Sequence, residues 1–321
     1  LRNAYRSPWW LPGQHAQTIY PATWMPVPAV SYRREVWQTP DDDFIELDWL
    51  QQEKPVKPEQ PLVVLFHGLE GSSQSHYAKR IMAAVGRKGW RGVVVHFRGC
   101  GGKANLQPRS YHCGDSAEID WILQRFRQQE HGEIYAVGVS LGGNVLLKWL
   151  GERQTQASNF ISKAAAISTS LDLPVTGKVL GQGFNRLYSR IFLKTLQPKA
   201  LDLIRKHRLD FDYSRIQQAD NLWDYDNLFT APLHGFHGAD DYWQQSSCRP
   251  YLRDIRLPTL LINARNDPFL PEQCLPSPDE VSGQVSLDFP RHGGHAGFVS
   301  TGSHDWLAER LLRFLSTDQN T

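Results

Sequence analysis

Glu133-Ile134-Tyr135-Ala136-Val137-Gly138-Val139-Ser140-Leu141-Gly142-Gly143-Asn144-Val145-Leu146-Leu147-Lys148-Trp149-Leu150 is the stretch that decides the fold. Its first part, Glu133 to Val137, is apolar and rich in β-formers and reads as a strand. Its last part, from Gly143 onward, reads as a helix. Between them stands Gly138-x-Ser140-x-Gly142. Strand, sharp turn and helix with a serine at the apex is the layout of a nucleophile elbow. The turn holds the serine in strained backbone angles, so its neighbours must be small, and glycines stand two residues away on both sides. A bare G-x-S-x-G is common in loops. The flanking strand and helix make this one specific.

A serine hydroxyl is a weak nucleophile without a base, an acid that orients the base, and donors for the developing oxyanion. Behind such an elbow the acid precedes the histidine in chain order. Leu257 to Ala264 reads as a buried strand and ends in Arg265-Asn266-Asp267-Pro268-Phe269. Asp267 is therefore expected on a loop just past a strand's carboxyl end. Asp-Pro turns give it an alternative reading as a turn residue. Val285 to Phe289 reads as a further strand, followed by Pro290-Arg291-His292-Gly293-Gly294-His295-Ala296-Gly297-Phe298. Two histidines compete there. His295 is favoured because glycines surround it, and His292 is expected at the surface. Asp288 is the runner-up acid, disfavoured by its place within a strand. Pro61 to Phe66 reads as an early strand, and His67-Gly68-Leu69-Glu70-Gly71 is the loop after it. The backbone N–H groups of Leu69 and Leu141 are the expected oxyanion donors. The loop lacks the spacing of a phosphate-binding turn.

Several segments carry a resemblance. These are His15-Ala16-Gln17-Thr18, Phe97-Arg98-Gly99-Cys100-Gly101-Gly102, Tyr111-His112-Cys113-Gly114-Asp115, Ala231 to Phe236, Ala239 to Trp243, and Gly294-His295-Ala296-Gly297-Phe298. The chain resembles the α/β-hydrolase superfamily and, within it, the AB hydrolase 4 family of bacterial YheT-type esterases and eukaryotic ABHD1/ABHD3-like proteins. The matching segments span roughly residues 15 to 300. The resemblance implies a catalytic triad of Ser140, Asp267 and His295. Eukaryotic members of the family are lipid-active and often membrane-anchored.

From Pro61 onward strands and helices alternate, which predicts an α/β fold with a mostly parallel central sheet and helices on both faces. Residues 1–170 and 256–321 are expected to form the core. Residues 1–30, rich in Pro and Trp without a period, are expected to wrap it as an extended arm. Residues 171–255 break the alternation and predict a helical cap insertion. Within it Phe184, Leu187, Ile191 and Leu196 form an apolar stripe, with Arg186, Arg190 and Lys194 opposite. The stripe is expected to pack on the core. A lid that lines an acyl pocket or touches anionic lipid is the second reading. His67, Gly68, Phe184, Tyr188, Phe236 and Tyr242 are the candidate substrate contacts.

Lys and Arg number 35 against 33 Asp and Glu, a net charge of +2, which gives no nucleic-acid signature. No apolar run reaches the ~18 residues that span a bilayer, and no leader is visible. Cys100, Cys113, Cys248 and Cys274 lack C-x-x-C spacing and read as reduced thiols of a cytoplasmic protein. His292-x-x-His295 and His234-x-x-His237 lack a third ligand, so neither a metal nor a cofactor is expected. His207 to Asp212 matches an acyltransferase pattern at chance level. The sequence thus predicts a serine carboxylesterase for small-molecule esters of short to medium acyl chain, expected as a monomer. Acyl transfer to an alcohol, a lipase- or phospholipase-like activity, and a non-catalytic binding protein on the same fold remain the alternatives.

Overall fold

Short apolar runs become strands because each is buried on both faces. Leu62–Phe66 (β3) and Ile134–Val139 (β5) expose almost nothing to solvent. The computed structural model describes residues 5–54, 56–130, 132–301 and 305–317. Its elements run α1 (Gln14–Thr23), β1 (Tyr32–Gln38), β2 (Phe44–Leu50), β3, α2 (His76–Arg87), β4 (Arg91–His96), α3 (Ser116–Gln129), β5, α4 (Leu141–Arg153) and β6 (Lys163–Ile167). Then follow α5 (Leu173–Leu180), α6 (Arg186–His207), α7 (Tyr213–Gln218), α8 (Leu222–Tyr225), α9 (Ala231–Leu233), α10 (Ala239–Ser246), β7 (Thr259–Ile262), β8 (Val285–Asp288) and α11 (Trp306–Ser316).

One eight-stranded sheet has the order β1-β2-β4-β3-β5-β6-β7-β8. β2 is antiparallel to both β1 and β4, and every later pairing is parallel. Alternate residues of each strand face opposite layers. Val63, Leu65, Val94, Val137 and Ile262 pack with Ile81 and Val85 of α2 and Leu311 of α11. Val64, Phe66, Val95 and Ala136 pack on the other face with Ile122 and Phe126 of α3 and Leu146 of α4. Each such aliphatic side chain contributes about 1.5–3 kcal/mol by burial. The strand order reverses at β3, whose neighbours are β4 and β5. Ligand sites of parallel sheets lie beyond the carboxyl ends of strands at such a reversal.

Two expectations are corrected. Residues 1–30 are not wholly extended, because Gln14–Thr23 is helical. Pro21 within that helix and Gly13 at its start, which gives no side-chain cap, hide it from a propensity reading. Nor is the stripe of α6 packed on the core. Phe184, Leu187 and Ile191 are about half exposed, while Leu196 is buried. The helix carries a second apolar face, Tyr188, Leu193, Leu196, Ala200 and Ile204, and this one joins the interior. Periodicity alone does not say which of two apolar faces turns inward.

Candidate active site

Ser140 ends β5 and opens α4 with φ 54° and ψ −115°. Few non-glycine residues adopt such angles, and the local packing enforces them. A Cβ on Gly138 would lie 2.4 Å from the Gly142 carbonyl oxygen, and one on Gly142 would lie 2.4 Å from that of Phe66. Side chains at either position would push the turn apart. Gly68 is held by the same crowding, since its Cβ would stand 3.1 Å from that of Ser140.

The loops after β7 and β8 converge on this serine. His295 Nε2 lies 2.9 Å from Ser140 Oγ. His295 Nδ1 lies 2.9 Å from Asp267 Oδ2 and 3.2 Å from Oδ1. Asp267 is buried, and its Oδ1 also accepts the Phe269 amide at 2.8 Å. The Phe269 ring stacks on the His295 imidazole with centroids 4.0 Å apart. The competing residues stand elsewhere. His292 is exposed, and Asp288 accepts Arg310 Nε at 2.6 Å.

Holding a histidine on a glycine-rich loop requires outside support, and α1 supplies it. Thr18 Oγ1 accepts the His295 amide at 2.9 Å. Gln17 Oε1 accepts the Gly293 amide and Asn266 Nδ2, each at 2.9 Å, while Gln17 Nε2 donates to the Leu11 carbonyl. Asn266 Oδ1 accepts the Gly294 amide, and Ser168 Oγ accepts that of Ala296. Gln17 and Thr18 had stood out in the sequence only through resemblance. With Pro21 they are the buried residues of α1, a burial of polar side chains that the sequence pattern does not reveal.

Leu69 and Leu141 both line the cavity beside Ser140. Leu141 is the first residue of α4, where an amide has no intrahelical acceptor. Leu69 sits within a turn closed by the Gly71 amide on the Gly68 carbonyl. The cavity encloses about 480 Å³ between the carboxyl ends of the central strands and helices α5, α6, α8 and α10. Its apolar wall includes Leu173, Leu180, Phe192, Leu196, Phe229, Tyr242, Trp243 and Phe269. A second end is polar, with Lys103, Arg109, Lys199 and Lys206 among its residues. Lys199 pairs there with Glu70 at 2.8 Å. Asp226 also lines the wall and accepts Trp243 Nε1 at 2.8 Å. Burial raises its carboxyl to about 6.

Of the six candidate substrate contacts, only Tyr242 lines this cavity. His67 is fully buried, close to the carbonyl of Gly68 at 2.7 Å, and its Nε2 accepts the Phe97 amide. Burial lowers its pKa to about 3, so it is a neutral loop brace. Gly68 serves close approach rather than contact. Phe184 lies outside on His15, and Tyr188 packs on Phe269 behind the histidine. Phe236 packs against His112 and Tyr242. Phe192 and Phe269 form walls that the sequence did not single out, because their inward face is set by tertiary packing, and of the stripe read in the cap helix only Leu196 lines the cavity. The four cysteines are free thiols. No group of three or more His, Cys, Asp or Glu among the described residues is arranged to hold a metal. No helix among them is long and apolar enough to cross a membrane.

Comparison with known proteins agrees with this architecture. The profile of the alpha/beta hydrolase fold matches residues 61–300. The chain is 36% identical to the protein named "Putative esterase YheT" of Escherichia coli, over 94% of this chain and 90% of that one. It is 28% identical to the mouse protein named "Phospholipase ABHD3", over 85% of this chain and 67% of that one. Among solved structures, the esterase Pf2001 of Pyrococcus furiosus superposes with a TM-score of 0.55 at 17% identity, covering 89% of this chain and 92% of that one. An elbow at a strand-order reversal, a matching profile over most of the chain and this degree of identity lead to one conclusion: the chain belongs to the α/β-hydrolase fold family, alongside YheT and ABHD3.

Proposed function

We propose that the protein is a serine carboxylesterase. The observation that carries this reading is the unbroken Ser140–His295–Asp267 hydrogen-bonded chain opening on a largely apolar cavity. In this reading Ser140 Oγ attacks the ester carbonyl carbon while His295 Nε2 takes its proton. The carbonyl π pair moves onto oxygen, where the Leu69 and Leu141 amides hold it. The carbon–oxygen bond to the alcohol then breaks, and His295 returns the proton to the leaving oxygen. Water attacks the acyl-enzyme by the same route in reverse and frees the acid. Asp267 keeps the imidazole's Nδ1–H in place and stabilises its cation. Residues 171–255 act as a cap over a core of 1–170 and 256–321, and the substrate lies between them.

A lipid ester is the second reading, favoured by the half-exposed apolar face of α6 and by the name of the ABHD3 relative. The test is a hydrolysis screen of p-nitrophenyl esters from short to long chains, with Ser140→Ala as control. Wild-type turnover should fall by several powers of ten in the variant. A folded Ser140→Ala protein with undiminished turnover refutes the assignment.

A further inference from the structure

Large apolar side chains gathered into one exposed patch mark a contact surface, whereas isolated ones do not. Of the eight exposed Trp, Phe, Leu and Ile side chains among the described residues, six fall on two segments. Trp9, Trp10 and Trp24 flank α1. Phe184, Leu187 and Ile191 run along the outer face of α6 at helical spacing. The segments meet at His15, whose ring lies 4.3 Å from that of Phe184 and 5.9 Å from that of Tyr188. Tyr188 packs on Phe269, which stacks on His295. The exposed face is thus two rings away from the candidate base.

The charge of these segments is one-sided. From Tyr5 to Tyr32 the chain has no Asp or Glu. From Leu173 to Leu201 it again has none, while it holds Lys178, Arg186, Arg190, Lys194 and Lys199. Lys199 turns inward to Glu70, and Arg186 pairs with exposed Asp220. Arg190 and Lys194 have no carboxylate partner among the described residues and, spaced at i+3 and i+7 from Leu187, share the exposed face of Leu187 and Ile191 instead of lying opposite it as the sequence pattern predicts.

We propose that this face is an interfacial docking surface for an anionic lipid bilayer. Trp9, Trp10, Trp24, Phe184, Leu187 and Ile191 enter the headgroup boundary, and Arg190 and Lys194 meet the lipid phosphates. Tryptophan favours that boundary because it presents an apolar body with a polar N–H. A basic rim around an apolar stripe is the pattern of helices that lie in the interface. A second copy of the chain fits poorly, since a twofold contact would set one basic face against the other. The docking stands on the surface alone. Its consequence, that the enzyme draws esters from a bilayer, rests on the hydrolase reading.

The test is flotation of the full chain with vesicles of phosphatidylglycerol and phosphatidylcholine, against vesicles of phosphatidylcholine alone. Wild type and Ser140→Ala are both expected to bind the anionic vesicles at least about tenfold better, and raised salt should weaken that binding. The pairs Leu187→Asp/Ile191→Asp and Arg190→Glu/Lys194→Glu should each cut binding about tenfold or more. Their unfolding midpoints and their turnover of a soluble short-chain ester should stay at the wild-type level. Equal binding to both vesicle types, or variants that bind as well as wild type, overturns the proposal. So does a wild-type dimer in sedimentation velocity that the same substitutions split. Vesicle binding by a protein that hydrolyses no ester supports the docking and defeats only the catalytic reading.

Discussion

At the scale of single residues, the site separates groups that sequence placed side by side. His292 and His295 stand three positions apart, yet one is exposed and the other lies 2.9 Å from Ser140 Oγ. His295→Ala and Asp267→Asn should each reduce kcat by several powers of ten, because one removes the base and the other the group that fixes its tautomer. His292→Ala and Asp288→Asn should keep kcat/KM near wild type, since the Asp288 carboxylate serves a surface pair with Arg310. Steady-state kinetics on one ester decides between them, and a crippled His292→Ala enzyme would shift the base by three residues. Asp226 offers a different test. Burial raises its carboxyl to about 6 in the folded protein, against about 3.9 when unfolded. Between those values the folded chain holds a proton that the unfolded chain has released. Stability therefore falls as pH climbs from about 4 to about 6 and stays lower above that. Asp226→Asn removes the titration, so its gain should be small at pH 4 and grow to at most about 3 kcal/mol at pH 8. Asp226 is only partly buried, and screening by solvent reduces that gain. Thermal unfolding at both pH values measures it, and an equal gain at the two would rule the titration out.

At the scale of elements, α1 is the piece whose purpose only the structure discloses. Its buried polar side chains hydrogen-bond to the histidine loop and to the Asp267 loop, while His15 reaches Tyr188 of α6. Thr18 Oγ1 fixes the backbone of His295 itself, and Gln17 fixes Gly293 and Asn266. Thr18→Val keeps the shape and removes the acceptor. Leaving a buried amide unpaired costs about 1–3 kcal/mol. If that cost falls on the active loop arrangement, kcat should drop about tenfold or more while KM changes little. A Thr18→Ser enzyme should recover most of the loss, because the hydroxyl returns. Equal loss in Thr18→Val and Thr18→Ser would point to packing and not to the hydrogen bond. What the sequence could disclose differs from element to element. β5 and α4 were legible because a continuous apolar run and a glycine-framed serine allow one arrangement. α1 was not, since Pro21 and an uncapped start contradict its helicity locally and tertiary bonds override them. α6 was legible as a helix but not in its orientation. Its outward Leu187 and inward Leu193 look alike in sequence, and only the neighbours distinguish them.

At the scale of the whole molecule, the sheet sets the elbow beside its strand-order reversal, loops after β7 and β8 reach back to it, and the helices between β6 and β7 close a cavity above it. The alternation from Pro61 onward made the sheet readable, and its parallel order follows from the crossovers. The cavity was not readable, because its walls come from side chains that meet only in three dimensions. Phe192 of α6, Phe229 after α8 and Phe269 of the Asp267 loop line it together, though long stretches of chain separate them. The enclosed volume of about 480 Å³ is finite and its lining mostly apolar, which sets an expectation for acyl length. A buried methylene contributes about 0.8 kcal/mol, so each carbon added to the acyl chain should raise kcat/KM by up to about fourfold. The rise should stop once the chain meets the far wall. A short to medium optimum is expected, with esters too long for the cavity losing ground as their ends remain outside. Filling the wall with Leu196→Trp should move the optimum to shorter chains and leave the shortest ester almost unaffected. A series of p-nitrophenyl esters measured for both proteins checks this. A wild-type rate that keeps climbing through long chains would mean that the apolar path runs on past the cavity, and an optimum that Leu196→Trp fails to move would mean that α6 does not face the acyl chain.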